Sequence, residues 1–208
     1  MIDRLLKHLS DSEIDFETIG KIRSLVIELA VRGKIVRQND KDGFAKDIYD
    51  HDPEQDNGSL FELPTSWIWR NLSDIANING GYAFKSSNFS LEGRRVVRIS
   101  DFARGGFREH SIVRHPYDQS MEKFTLEVNN ILIAMSGGTV GKSHLVKLMS
   151  EPMMVNQRVA TIKINHDIVP DYIFLVIQSA IVQTVIQNAK NSTNDNISME
   201  NIKNFKIP

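Results

Sequence analysis

The chain has 208 residues, 41% of them hydrophobic, and a formal net charge of −1. That length and apolar content suffice for one buried core, and the absence of cysteine excludes disulfides, thiolate metal sites and cysteine nucleophiles. No stretch approaches the roughly 20 apolar residues of a membrane span, and the opening MIDRLLKHLSDSEIDFE carries acids where a signal peptide needs an apolar run. A soluble, cytoplasmic protein without membrane contact is therefore expected. The near-neutral total hides an uneven distribution. Residues 1–62 hold 9 Lys/Arg against 14 Asp/Glu, whereas residues 85–115 hold 7 against 3. Phosphate attraction is local and screened, so a basic segment beside an acidic one fits a DNA-facing surface joined to a part that faces elsewhere. A solvated charged loop has the same composition.

In chain order, a short helix is expected over residues 3–9. Ile19, Ile22, Leu25, Val26, Leu29 and Ala30 then recur at helical spacing, predicting an amphipathic helix over 19–36 with Gly33 as its stop. The polar run 39–62, with Gly43, Pro53 and Gly58, reads as a linker holding a turn of helix at 44–50. From Leu63 the texture changes to short β-type runs at 67–72, 96–99, 112–114, 130–135, 143–148 and 159–164. A single long helix over 172–189 closes this region, with Ile173, Phe174, Ile177, Ile181 and Val185 on one face and Pro170 in its first turn. The expected fold is mixed α/β: a helical segment (1–38), a linker (39–62) and a sheet-rich domain (63–208). The final Phe205-Lys206-Ile207-Pro208 leads into a proline, as a chain does ahead of a new element, so a longer protein is expected.

Several motifs point towards catalysis and fall short of it. Ser136-Gly-Gly-Thr-Val-Gly-Lys-Ser143 resembles a phosphate-binding P-loop, but Ser136 stands where that pattern needs glycine. His144–Leu148 also alternates like a strand where a P-loop needs a helix. Ala134-Met-Ser-Gly-Gly138 approximates a nucleophile elbow and lacks the same helix. The histidines at 8, 51, 110, 115, 144 and 166 form no helical ligand pair, so no metal site is expected. Neither an amino-methyltransferase motif nor an acidic nuclease cluster occurs. Any chemistry on DNA must come from a partner.

Other motifs, taken in order, resemble one half of a type I restriction-modification specificity subunit. Ile27–Gln38 is similar to a family helix ending in "LAxxGKLVxQ", with Ile35 in place of leucine. Leu63-Pro-Thr-Ser-Trp67 with Trp69 resembles "LPxGWxW", with Ser66 in place of glycine. Gly80–Ser86 matches a "GxxFKS" turn and Val97-Arg-Ile-Ser100 an "IRIxD" strand. Ile131–Lys142 is similar to "DILIAxSGxTxGK", which gives the P-loop lookalike another home, and Val155–Arg158 to "xNQxV". Asn191-Ser-Thr193, Ile197-Ser198 and Ile207-Pro208 resemble "GST…IS…IPLP".

The resemblance implies a target recognition domain, preceded by part of a helical spacer, that reads one part of a split DNA sequence and catalyses nothing. Its partners would be double-stranded DNA, the methyltransferase (M) subunit and, in the full complex, the restriction (R) subunit. Cofactors would be absent from this chain, with S-adenosylmethionine, ATP and magnesium held by the partners. On this reading Arg98 and Arg104 suit guanine, while Asn156 and Gln157 suit adenine. Lys85, Arg95, Arg108 and Lys142 suit phosphate, with Ser100, Thr139 and Arg158 nearby. Tyr82 and Phe84 would stack or wedge, although Phe84 equally suits a core and Asn156–Arg158 equally suit loop carbonyls. Ile22, Val26 and Leu29 would meet the methyltransferase subunit or, without it, a second copy of the chain. A nucleotide-binding enzyme using residues 136–143 and a protein-interaction module without DNA binding are the alternatives.

Overall fold

The computed structural model describes residues 15–49, 60–103, 105–165, 168–190 and 195–208. The helix expected over 3–9, Arg104 and Asn191–Thr193 lie outside them. Helix α1 (Phe16–Val31) starts at Asp15, whose carboxylate accepts from the Thr18 amide at 2.7 Å. It ends sooner than its periodicity predicted, because Gly33 takes a left-handed φ of +65° that turns the chain out of the helix. The expected turn of helix in the linker is a single 3-10 turn at Ala45–Asp47.

The sheet-rich region holds β1 (Arg70–Asn71), the one-turn helix α2 (Leu72–Ile75), β2 (Ala76–Gly80), β3 (Arg94–Val97), the hairpin β4 (Phe102–Ala103) and β5 (Gly106–Phe107), and β6 (Arg114–His115). It continues through β7 (Ile131–Ala134), β8 (Ser143–Leu145), β9 (Met153–Val155) and β10 (Val159–Ile164). Helices α3 (Pro170–Gln178), α4 (Ala180–Lys190) and α5 (Met199–Lys203) follow, and β11 (Lys206–Ile207) returns to pair with β1. Strands β2-β10-β7-β8 form an antiparallel sheet. A second sheet, β6-β3-β9, has β3 and β9 parallel.

These elements stack in layers set by the two-residue alternation of strands. Ile131 and Ile133 of β7 meet Ile173, Val176 and Ile177 of α3 and Ile181, Val182 and Ile186 of α4, together with Ile27 and Val31 of α1. Leu132 and Ala134, on the opposite face, meet Val97, Met153 and Val155 of the second sheet with Phe102 and Leu126. Val96 and Met154 point out of that sheet's far face and hold Phe84. The same alternation places Arg95 on the inward side with Val97.

The single closing helix expected over 172–189 is two helices, bent by 53° at Ser179. Ser179 is extended (ψ 164°), and its hydroxyl donates to the Val176 carbonyl at 2.7 Å. The amide of Ala180, at the start of α4, is capped by Glu28 of α1 at 2.5 Å. Apolar periodicity runs through the bend because both helices cover one sheet, so the sequence pattern does not reveal the break.

His144 of β8 lies opposite Leu132, with its ring 5.0 Å from Phe107 and 6.5 Å from Phe102. Burial pushes the imidazole below its ordinary value of 6.5. The unfolded chain therefore takes up a proton at this residue more readily than the folded one. Its contribution to stability is complete above the unfolded pKa and declines as pH falls below it, until the depressed folded pKa is passed. Between about pH 7.5 and about pH 5.5 the melting temperature is expected to fall, and to fall less in His144→Gln. Equal slopes for the two proteins in scanning calorimetry would show that His144 is not held neutral.

Candidate nucleic-acid interface

The ends of β2, β3, β7 and β9 and the start of β10 emerge on one side of the molecule. Main-chain hydrogen bonds join the loops that leave them. Tyr82 donates to Val155 O at 2.8 Å, Gln157 to Tyr82 O at 2.9 Å and Asn156 to Val97 O at 2.9 Å. Met135 donates to Arg158 O at 2.9 Å, and Gly137 to Asp195 O at 3.0 Å. The surface is therefore a continuous main-chain fabric, and its side chains start from fixed points. Gly81 permits the closest contact. A Cβ there would lie 2.2 Å from Val155 O and 2.3 Å from Asn156 O, so this crossing of two backbones requires glycine.

Onto this surface the fold brings most of the predicted residues, in different roles. Tyr82 is 37% exposed, with its ring 4.9 Å from Phe84 and 5.2 Å from Phe124. Phe84 is buried, 4.9 Å from the His115 ring, and supports Tyr82 from below. Lys85 is exposed and unpaired among the described residues. Gln157 and Arg158 project as exposed side chains with no hydrogen-bond or ion-pair partner among those residues. Asn156 is half-buried, and its side-chain oxygen accepts from the Arg158 amide at 3.2 Å, shaping the turn.

Other predicted residues are already engaged. Arg98, expected to present a free fork to guanine, instead places Nε and Nη2 on the Asp101 carboxylate at 2.7 and 2.9 Å. Its Nη2 also donates to Ser111 O at 2.9 Å, leaving Nη1 as the free nitrogen. Ser100 donates to the same carboxylate at 2.8 Å. Arg95, expected on phosphate, is only 1% exposed because β3 turns it inward, where it pairs with Glu109 at 3.1 Å. It does not reach the surface.

Lys142 donates to Ile99 O, tying the glycine turn at 137–139 to the loop after β3. Burial holds the Lys142 ammonium below its usual range; the charge of Arg108 acts in the same direction and Asp101 opposes it. Arg108 is exposed, and Thr139 is half-buried with its hydroxyl enclosed. Strand β8 follows Lys142 directly, where a phosphate-binding loop would start a helix.

Sequence reasoning missed Phe124, Asp195 and Asn196. Phe124 ends a 3-10 segment (Gln119–Phe124) anchored by Arg94, which lies 3.4 Å over the Tyr117 ring and bonds Glu122 at 3.1 Å and Thr125 at 2.9 Å. No local spacing signals that contact with Tyr82. Asp195 and Asn196 belong to no motif that the sequence singles out.

Residues 64–208 match the family model described as the type I restriction modification DNA specificity domain. The chain belongs to this family. It is 26% identical over 185 residues to the type I restriction enzyme EcoAI specificity subunit of Escherichia coli, a match covering 77% of this chain and 31% of that subunit. It is 24% identical over 157 residues to the EcoBI specificity subunit of the same organism, with coverage of 74% and 31%. It thus spans about a third of these curated relatives. The crystal structure of the HsdS subunit from Thermoanaerobacter tengcongensis matches all of this chain and 44% of its own, with a TM-score of 0.57 at 14% identity. That likeness bears on the fold: the mixed α/β arrangement expected from the sequence is that of a specificity domain.

Within this specificity domain Gly81 is the most constrained point of the interface. Gly81→Ala is expected to lower the unfolding free energy by about 1–3 kcal/mol, the usual cost of forced overpacking. Urea denaturation checks it, and a change below about 0.5 kcal/mol, ordinary for unconstrained surface positions, would show that the crossing relaxes freely.

Proposed function

We propose that this chain reads one part of a split DNA sequence for a type I restriction-modification complex, as a non-catalytic component working in the cytoplasm. The observation that carries the reading is the hydrogen-bonded surface formed by the linked loops, where Lys85, Gln157 and Arg158 are exposed without a hydrogen-bond or ion-pair partner among the described residues and Tyr82, packed on Phe84 and Phe124, is 37% exposed. Base edges are read by side-chain hydrogen bonds, while cations and backbone amides on phosphate fix register. Gln157 offers the donor–acceptor pair that suits adenine, and Arg158 the fork that suits guanine. Lys85 and Arg108 suit phosphate, and Tyr82 offers a face for stacking or a wedge. Methylation and cleavage belong to partner subunits, together with S-adenosylmethionine, ATP and magnesium.

A fluorescence-anisotropy titration of duplex DNA across a salt series tests this, alone and with the cognate methyltransferase subunit. Log affinity is expected to fall linearly with log salt, and Arg158→Ala to weaken binding by about 1–3 kcal/mol if it reads a base. Lys85→Ala is expected to reduce the salt slope by about 1. Lys163→Ala, towards the far end of β10, should leave both unchanged. Absence of binding at low salt in both states would exclude DNA recognition.

The second contact is helical. Ile19, Leu25 and Val26 are 51%, 46% and 43% exposed, with Ile22 and Leu29 half-buried beside them, while Ile27 and Val31 on the other side enter the core. This outward stripe fits a helix of the methyltransferase subunit or, in its absence, a second copy of the chain. The double substitution Leu25→Ser with Val26→Ser is expected to change unfolding free energy by less than about 0.5 kcal/mol while abolishing co-purification with that subunit. Undiminished co-purification would place the contact elsewhere.

A further inference from the structure

A cleft of about 560 Å³ opens beside the free end of β7, between the turn at 135–137, Gln157 and Arg158, and the segment 195–197. Its base is hydrogen-bonded main chain. Met135 donates to Arg158 O at 2.9 Å, Ile197 to Met135 O at 2.9 Å, and Ser136 pairs with Asn196 as an antiparallel bridge. The segment 195–197 is therefore laid alongside the turn like an added strand, and Gly137 fixes the Asp195 carbonyl at 3.0 Å. Gln157, Arg158, Asp195 and Asn196 line the cleft as exposed residues, and none of their side chains has a hydrogen-bond or ion-pair partner among the described residues.

Asp195 runs against the electrostatics expected of such a surface. Asp101 is consumed by Arg98, whereas the Asp195 carboxylate has no ion-pair partner among the described residues. An uncompensated carboxylate facing DNA repels phosphate and weakens non-specific binding. A carboxylate is an acceptor only, so its attraction must be to a donor. The donors a DNA major groove presents are exocyclic amino groups, N4 of cytosine and N6 of adenine. The neighbouring cleft residues supply the other half of that pattern: Arg158 donates, while Gln157 and Asn196 both donate and accept.

We propose that Asp195 is a specificity-determining residue whose carboxylate accepts a hydrogen bond from a base amino group, cytosine N4 or adenine N6, in the major groove. The inference rests on the DNA-recognition reading above. It assigns Asp195 a selective role: rejecting base pairs that present a carbonyl oxygen at that position, because two acceptors would then face each other in a desolvated contact. The charge that weakens binding to every sequence is thereby offset at one sequence.

The test is selection of bound duplexes from a randomised library, followed by sequencing, for the unsubstituted chain, Asp195→Ala and Asp195→Asn, with thermal melts of each. The unsubstituted chain is expected to select a motif in which one position favours cytosine or adenine by roughly tenfold to a hundredfold. Asp195→Ala should lose that preference alone, keep the others, and bind random duplex severalfold more tightly. Asp195→Asn retains an acceptor and gains a donor, which matches the N6/N7 edge of adenine. It should therefore move a cytosine preference towards adenine, or keep an adenine preference that Asp195→Ala loses. An unaltered motif in both variants overturns the proposal, and so does the loss of every position at once with a lowered melting temperature. An unsubstituted chain that selects no motif either alone or with the methyltransferase subunit overturns the DNA-recognition reading itself.

Discussion

The structure depends on strand β7 having no solvent side. Its four residues, Ile131–Ala134, are fully buried, with Ile131 and Ile133 under the helices and Leu132 and Ala134 under the second sheet. A strand in that position is fixed by both layers at once. A slip of one residue would exchange the two sets of side chains and leave both interfaces mismatched. The turn that begins at Met135 inherits this fixity, being the immediate continuation of a strand that cannot shift. The candidate interface is thus built where the core is least able to move. That suits recognition, since contacts from pre-ordered groups lose less conformational entropy on binding than contacts from mobile ones.

Main-chain bonds then spread that order sideways. The turn at 135–137 holds Arg158 on one side and segment 195–197 on the other, and residues 155–157 in turn hold Tyr82. Side-chain networks add a second tier: Arg98 with Asp101 and Ser111, Lys142 with Ile99, Arg94 with Glu122 and Thr125. These cations shape the surface. Among the described residues, exposed side chains without a hydrogen-bond or ion-pair partner lie on residues 157–158 and 195–196 and at Lys85, beside the partly exposed Tyr82 ring. Among the described residues the basic segment 85–115 thus contributes its charge largely to ion pairs within the fold, which is why charge counting alone did not locate the unpaired groups.

How much was legible in the sequence varies with the range of the determining contact. The glycine turns, the apolar strands β7 and β10 and the β8 strand after Lys142 follow from local pattern; β7 and β10 lie close to their expected bounds, while β8 ends at Leu145, three residues before its expected end. Strands β2 and β9 were missed: Ala76–Gly80 is rich in asparagine, and Met153–Val155 is too short to show alternation. Arg95 carries no mark in the sequence to separate it from Arg94. Only the facing of β3 against the other sheet turns one inward and the other out. The outward stripe of α1 was legible as apolar periodicity, but its direction was not. Ile27 and Val31 dock the helix, and Glu28 orients it by capping α4, leaving the wider stripe exposed.

The treatment of arginine at this surface separates two uses of one chemistry. A guanidinium already shared between a carboxylate and a carbonyl, as in Arg98, has little donor capacity left, and freeing it for a base would strand Asp101, a carboxylate only 7% exposed. The exchange would have to replace a charge-assisted fork with a contact of similar strength, so it gains little. Arg158 has no such commitment among the described residues, and its contact with DNA would be a net addition. The same reasoning applies to the acids, with Asp101 engaged and Asp195 without a partner among the described residues. On the proposed reading, discrimination between sequences falls to groups whose hydrogen bonds are unmade before DNA arrives, and the locked arginines determine where those groups stand.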